Sequence, residues 1–346
     1  MHDKLFSAIR HMTEFGNQLK ENAMLLRTSN FTSEEFLEGV MIKNLTALPI
    51  NGNVCAVDSG LLSHSMHGVD ILLLRTVAVN FLYHDSELVS CSYYPSKVPL
   101  TEIEVKTALD EHESSVWCSI VRLKNEISMA ISAIENFSPS ILLLDGSILP
   151  LAKDRPSNDS AVFQEYNELI MLYKKLYNLC KEKNILLIGI IKDSRGRRFV
   201  DVINNINCND SAFLDHLLNK GERTSVMRYA HAGQPILKDL EEFANNIYVS
   251  YMKVSDNDLP LRIEFLEFSG NSRDVAEGHT DLNFDNIFDN SISAAYSLSA
   301  ISDNYAYPAI LTEVDLCAAL DGYELERLKH SLVDFKPMRR NSRPFR

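Results

Sequence analysis

The chain has 346 residues, 45% hydrophobic and 23% charged, enough to bury a large core as one big domain or two intimately joined ones. Its net charge of −13, from 34 basic and 47 acidic residues, excludes a surface that coats itself nonspecifically in nucleic acid, though not a local basic channel. No apolar run reaches the ~18 residues of a membrane span, and Met1-His2-Asp3-Lys4 lacks the basic-then-apolar pattern of a secretory signal, so the expectation is a cytoplasmic protein with no membrane partner.

Residues 1–26 carry Leu5, Ile9, Met12, Phe15, Leu19 and Met24 at helical spacing. A second short helical pattern covers residues 31–40, with Thr32-Ser33-Glu34-Glu35 as its start. Three strands follow at 54–57, 69–82 and 88–94, joined by short loops, which predicts an antiparallel meander. Residues 103–134 read as one long helix with Val116, Ile120, Leu123, Ile127, Ile131 and Ile134 on one face. A strand at 141–144, a helix at 161–180 and an apolar strand at 185–191 make a parallel βαβ unit. Later, a helix is expected at 211–218, a strand pair at 247–252 and 261–268, and helices at 292–301 and 309–332. A meander followed by parallel strands with crossover helices is the order of an RNase H-like mixed α/β sheet. The six cysteines form no C-x-x-C pair and read as reduced core residues.

Two of these strands end alike. Val54-Cys55-Ala56-Val57-Asp58-Ser59-Gly60 and Ile141-Leu142-Leu143-Leu144-Asp145-Gly146-Ser147 both finish an apolar run in a carboxylate followed by small residues. Each could be a turn. Two ionised carboxylates at buried strand ends are costly unless they share a cation, so a hydrolytic metal site is the leading hypothesis. Glu126 follows Arg122 by one helical turn; it could be only a surface ion pair, or it could face the same sheet edge. Lys192 ends the 185–191 strand, where a point charge could hold a phosphate. The basic loop Arg195-Gly196-Arg197-Arg198 suits phosphate contact or a solvated turn. Asp315 could cap a helix with Thr312 or lie mid-helix on a close-packed face. His64 and His67 have zinc-ligand spacing but no second pair. An aspartyl-nucleophile phosphatase would want an aspartate where Gly60 stands.

From about residue 53 to 332 the chain resembles the NurA nuclease family of archaea and bacteria. The resemblance rests on Val57-Asp58-Ser59-Gly60, Arg122 with Glu126, Leu144-Asp145-Gly146-Ser147, Ile191-Lys192-Asp193-Ser194, Arg262-Ile263-Glu264 and Tyr307-Pro308, in that order. It implies one nuclease domain over residues 1–335, with helices at 1–45, an RNase H-like core at 53–335 and helical extensions at both ends. Residues 336–346 form a basic tail. It further implies DNA cleavage with two Mn2+ or Mg2+ ions, as a 5′-to-3′ exonuclease and single-strand endonuclease. The expected partners are DNA, a hexameric HerA-type ATPase in the processing of DNA ends, and a second copy in a homodimer. Carried over, Asp58, Glu126 and Asp145 are metal ligands, with Asp315 a less secure fourth. Lys192 is a phosphate contact and Tyr307 a site residue; Arg122, Arg195, Arg197 and Arg198 are expected on DNA. The rival from another class is a catalytically inactive scaffold or regulator of the translocase.

Overall fold

The computed structural model describes residues 2–66, 68–192, 194–203, 206–229, 234–268, 288–300 and 302–332. The basic tail at 336–346, the polar loop at 271–279 and His67 lie outside them. In chain order the elements are α1 (His2–Thr28), β1 (Ile42–Asn44), β2 (Gly52–Met66), β3 (Val69–His84), β4 (Glu87–Tyr94), β5 (Glu102–Thr107), α2 (Glu111–Phe137) and β6 (Ile141–Asp145). Then come α3 (Phe163–Lys183), β7 (Leu186–Ile191), α4 (Arg198–Ile203), α5 (Asp210–Leu217), β8 (Glu222–Thr224), β9 (Met227–Arg228) and α6 (Pro235–Asp239). The last are β10 (Ile247–Lys253), β11 (Leu261–Leu266), α7 (Asp289–Ser299), α8 (Ala309–Ala318) and α9 (Gly322–Leu332). No helix among the described residues is long and apolar enough to cross a membrane.

Four predicted elements differ. The strand expected at 54–57 runs from Gly52 to Met66, because its pairing with β3 continues past Asp58. The helix expected from residue 103 starts only at Glu111, where Asp110 caps it by accepting from the Glu113 N–H at 2.8 Å. Before it, Glu102-Ile103-Glu104-Val105-Lys106-Thr107 alternates with period two and pairs antiparallel with Val69–Leu74 of β3. Residues 31–40 form turns rather than a helix: Phe36 enters a hydrophobic core, while the buried Glu38 is drawn to Arg223 and the Val226 N–H. The last helix is interrupted between Ala318 and Gly322, giving α8 and α9.

The chain divides into two compact units, each with its own part of the sheet. One comprises residues 50–187, 232–244 and 309–346. Its strands run β6-β2-β3-β4. The β2–β3 hairpin is in register from Gly52↔Tyr83 to Met66↔Val69, and β3 takes β5 on its first half and β4 on its second. β2 pairs parallel with β6 over Val54↔Ile141 to Val57↔Leu144. Val54, Cys55, Ala56 and Val57 are all buried, so both faces of β2 are covered; α2 and α8 both pack on β2 and β3.

The other unit comprises residues 1–49, 188–231 and 245–308. Here the order is β1-β8-β10-β11-β7, with β9 also on β10. α1 packs its C-terminal half through Leu19 and Ala23 onto Phe36, Phe213, Leu214 and Tyr251. Arg223, almost fully buried, makes a two-pronged pair with Glu38 at 2.6 and 2.6 Å and reaches Asp289 at 2.8 Å. Burial alone would raise the Glu38 carboxyl; Arg223, Lys43 and the Val226 N–H outweigh it and hold it below its ordinary 4.5. Its stabilisation is therefore present above that value and lost as pH falls through the folded one. Glu38→Ala is expected to cost about 3 kcal/mol in denaturant melts because Arg223 stays buried without its main partner. The wild-type and variant curves should converge on acidification.

Candidate metal centre

β2 and β6 run parallel side by side, and their last paired residues are Val57 and Leu144. Asp58 and Asp145 are the next residue on each strand, so the two residues are immediate neighbours where β6 ends; β2 does not end there as its sequence suggested but runs on to Met66, held by its pairing with β3. Asp145 closes β6, and the chain then turns through Gly146 at φ +129, a backbone conformation that L side chains rarely adopt. Ser59, buried beside Asp58, shares a 2.8 Å hydrogen bond with Thr76, its partner across the pairing with β3.

Glu126 joins from α2. It is buried, and Arg122 one turn earlier donates to it at 2.5 Å. Burial pushes the Glu126 carboxyl up to about 8; Arg122 opposes this, and the charges of Asp58 and Asp145 add to it. Asp58 is pushed up to about 6, first by burial and then by Asp145 and Asp315, with the Ser59 N–H and Arg122 working against them. Asp315 stands on the exposed side of α8. Arg122 is held above its ordinary value, chiefly by Glu126, with Asp58 adding. These four carboxylates and one guanidinium thus act in a single electrostatic field.

The donor set is all hard oxygen, suited to Mg2+ or Mn2+ rather than zinc. Its mutual repulsion is what a divalent cation would relieve. Among the described residues, however, no three His, Cys, Asp or Glu side chains are gathered closely enough to enclose a metal ion. Arg122 is the cation that neutralises Glu126 as the side chains stand. The set fits a metal in chemistry and charge, with its side chains apart. His64 lies within β2, paired with Ile71.

The remaining candidates lie in the other unit. Lys192 follows β7 and places its ammonium 4.5 Å from the centre of the Tyr307 ring. Tyr307 is buried and donates to the Ile190 carbonyl at 3.2 Å, so the ring is a fixed platform under the lysine. Of the basic loop, Arg195 is exposed. Arg197 is occupied by the carbonyls of Cys208 and Ile206 at 2.9 and 3.2 Å and by Asp201. Arg198 turns inward to Glu35 at 2.5 Å and the Arg228 carbonyl at 2.9 Å. Its expected place on DNA is thereby corrected to a buried ion pair. Arg262 and Glu264 also face inward: Arg262 donates to Glu264 at 2.8 Å and to the Tyr251 hydroxyl at 3.0 Å. Tyr251 in turn donates to Asp210, which accepts from the Val200 N–H at 2.8 Å and so ties down the turn that carries the basic loop.

Sequence reasoning missed Arg75. It interrupts the apolar run of β3 and is 9% exposed. A guanidinium in a buried strand needs fixed acceptors, and that was the available signal. It donates to the carbonyls of Pro99 and Ala319 at 3.0 and 2.6 Å and to Glu324 at 2.8 and 3.0 Å.

A mixed sheet that carries neighbouring carboxylates on two adjacent parallel strands, in one field with acidic residues on its covering helices, defines the RNase H-like class. The NurA domain family matches residues 52–318, about three quarters of the chain. The chain belongs to the NurA family. The fold is similar over its whole length to the crystal structure of the NurA nuclease from Sulfolobus solfataricus, at 13% identity, covering 100% of this chain and 98% of that one, with a TM-score of 0.57. It is also similar to a NurA structure bound to dAMP and manganese, at 10% identity, 97% coverage of each chain and a TM-score of 0.55. A further NurA structure with manganese aligns at 12% identity over 95% of this chain and 98% of that one, with a TM-score of 0.55. No curated protein matches the sequence.

Proposed function

We propose that this chain is a metal-dependent nuclease that hydrolyses phosphodiester bonds of DNA. The observation that carries the reading is the neighbouring pair formed by Asp58, midway along β2, and Asp145, at the end of β6, in one field with Glu126 and Asp315. The manganese and dAMP held by a relative of the same family suit this donor set. Asp58, Asp145 and Glu126 would hold Mn2+ or Mg2+, with Asp315 completing the set. When bound, the metal supplies Lewis acidity and a water nucleophile at neutral pH, so no histidine base is needed.

The protein's own groups do the rest. Arg122 keeps Glu126 oriented and balances its charge. Lys192 is a point charge for a backbone phosphate, and Tyr307 holds it in place. Arg195, exposed, would be a further phosphate contact. By family resemblance the activity is 5′-to-3′ exonucleolytic and single-strand endonucleolytic. It would be exercised by a homodimer on DNA ends presented by a hexameric HerA-type translocase. The net charge of −13 fits a nuclease whose DNA is delivered to it rather than captured by its own field.

End-labelled single- and double-stranded DNA incubated with Mn2+, with Mg2+ and with chelator tests the reading. Cleavage that requires a divalent ion is expected. Intact DNA under every metal, with and without a translocase, would leave the scaffold reading standing instead. Lys192→Ala is expected to lower kcat/KM about tenfold and to flatten the salt dependence of DNA binding by about one charge.

A further inference from the structure

α8 carries Asp315 and is held at two points, one on each side of that residue. Before it, Glu313 accepts from the Tyr93 hydroxyl at 2.7 Å and pairs with Lys97 at 3.0 Å. After it, the Ala319 carbonyl, at the helix C-terminus, accepts from Arg75 at 2.6 Å. A helix C-terminus presents unsatisfied carbonyls and a partial negative charge, which a guanidinium offsets. α8 has no basic residue in its own last turn, so this cap comes from β3. The Pro99 carbonyl holds the Arg75 Nε at 3.0 Å, and the outer end of the guanidinium needs a second acceptor to aim it at Ala319. Glu324, in the first turn of α9, fixes it, accepting twice from Arg75 and once from the Thr101 hydroxyl at 2.6 Å. Glu324 lies beyond residue 318, where the family match ends.

We propose that Glu324 of α9, through Arg75, is a positioning residue that sets the height of α8 along β2 and so sets where Asp315 stands relative to Asp58 and Asp145. The inference rests on the metal-site reading above. It assigns α9 a role in metal affinity rather than in the stability of the chain end alone. If that is so, loosening Glu324 lets α8 shift at its C-terminal end, and the first function to suffer is the hold on the cation to which Asp315 contributes. Residues that orient ligands in this way typically change metal affinity by about 10- to 100-fold.

The test titrates Mn2+ into full-length protein and follows the loss of the free-ion EPR signal, with thermal melts of the same samples. Glu324→Ala is expected to weaken Mn2+ binding about tenfold. Asp315→Asn should weaken it similarly, and adding Glu324→Ala to Asp315→Asn should change little more, because both act through one carboxylate. Thr101→Val, a milder change on the same network, should fall between wild type and Glu324→Ala, and it answers the question if Glu324→Ala fails to fold. Wild-type Mn2+ affinity in Glu324→Ala, or a loss that adds fully to that of Asp315→Asn, overturns the inference alone. A wild-type protein that takes up no Mn2+ overturns the metal reading and this inference with it.

Discussion

Asp58→Asn is expected to reduce metal-dependent cleavage by about 10³-fold or more while making the metal-free protein more stable at neutral pH. The two effects share a cause. Burial and the neighbouring charges of Asp145 and Asp315 raise the Asp58 carboxyl from 3.8 to about 6. A folded pKa above the unfolded one means the protonated form is the one the fold favours. The resulting stabilisation is full below 3.8 and is lost as pH rises through about 6; above that the ionised group opposes folding by about 3 kcal/mol. Asparagine removes the charge and most of that cost, so a gain of about 2 kcal/mol is expected in metal-free denaturant melts at neutral pH. A cation held by Asp58 would repay the same repulsion in the wild type. Saturating Mn2+ should therefore raise the melting temperature of the wild type and barely move that of Asp58→Asn. The loss of cleavage reflects several kcal/mol of charge stabilisation that a misplaced or missing ion no longer supplies. A variant that still cuts DNA, or one whose metal-free form is less stable than wild type, would contradict the assignment.

The central strands were legible because they are apolar throughout and covered on both faces: Val54–Val57 and Leu142–Leu144 admit no amphipathic helix of that length. β5 was not, because Ile103 and Val105 are 53% and 56% exposed and their two-residue period runs straight on toward the apolar face of α2. β1, β8 and β9 are two or three residues long and leave no periodic trace. The same division holds for the candidate site. Asp58 and Asp145 are marked locally by the runs they end, yet their adjacency comes from the parallel pairing of strands 87 residues apart in sequence, as shown by Val54↔Ile141. Local charge could not separate the roles of the basic loop: three arginines in four positions suit an open phosphate surface or a solvated turn, while Glu35 and the carbonyls that engage Arg197 and Arg198 come from remote segments or a later turn. Arg75 was visible as an interruption, but its partners at 319 and 324 were not.

Gly60→Ala should be severely disruptive for a single added methyl. Two residues past Asp58, β2 passes directly under the C-terminal end of α8. A Cβ at Gly60 would fall on the Ala318 carbonyl oxygen, well inside contact distance, and 2.9 Å from its carbon. These are backbone atoms, so no flexible side chain can swing aside. Either β2 bows away from α8, which pulls Asp58 out of line with Asp145, or α8 lifts, which takes Asp315 with it and breaks the Arg75 bond to Ala319. Overpacking of this kind typically costs about 1–3 kcal/mol and can cost more. The upper end is expected here because both neighbours are backbone. A displacement of ~1 Å at a reacting centre can cost about 100-fold in rate, so cleavage should fall by at least that much even where the variant is fully folded. Mn2+ affinity measured on the folded variant separates the two responses: bowing of β2 weakens binding through Asp58 and Asp145, so adding Asp315→Asn weakens it further. Lifting of α8 weakens it through Asp315 alone, so adding Asp315→Asn changes nothing. A Gly60→Ala protein with wild-type stability and cleavage would mean that α8 and β2 do not meet at this glycine, and the geometric basis for Asp315 in the site would go with it.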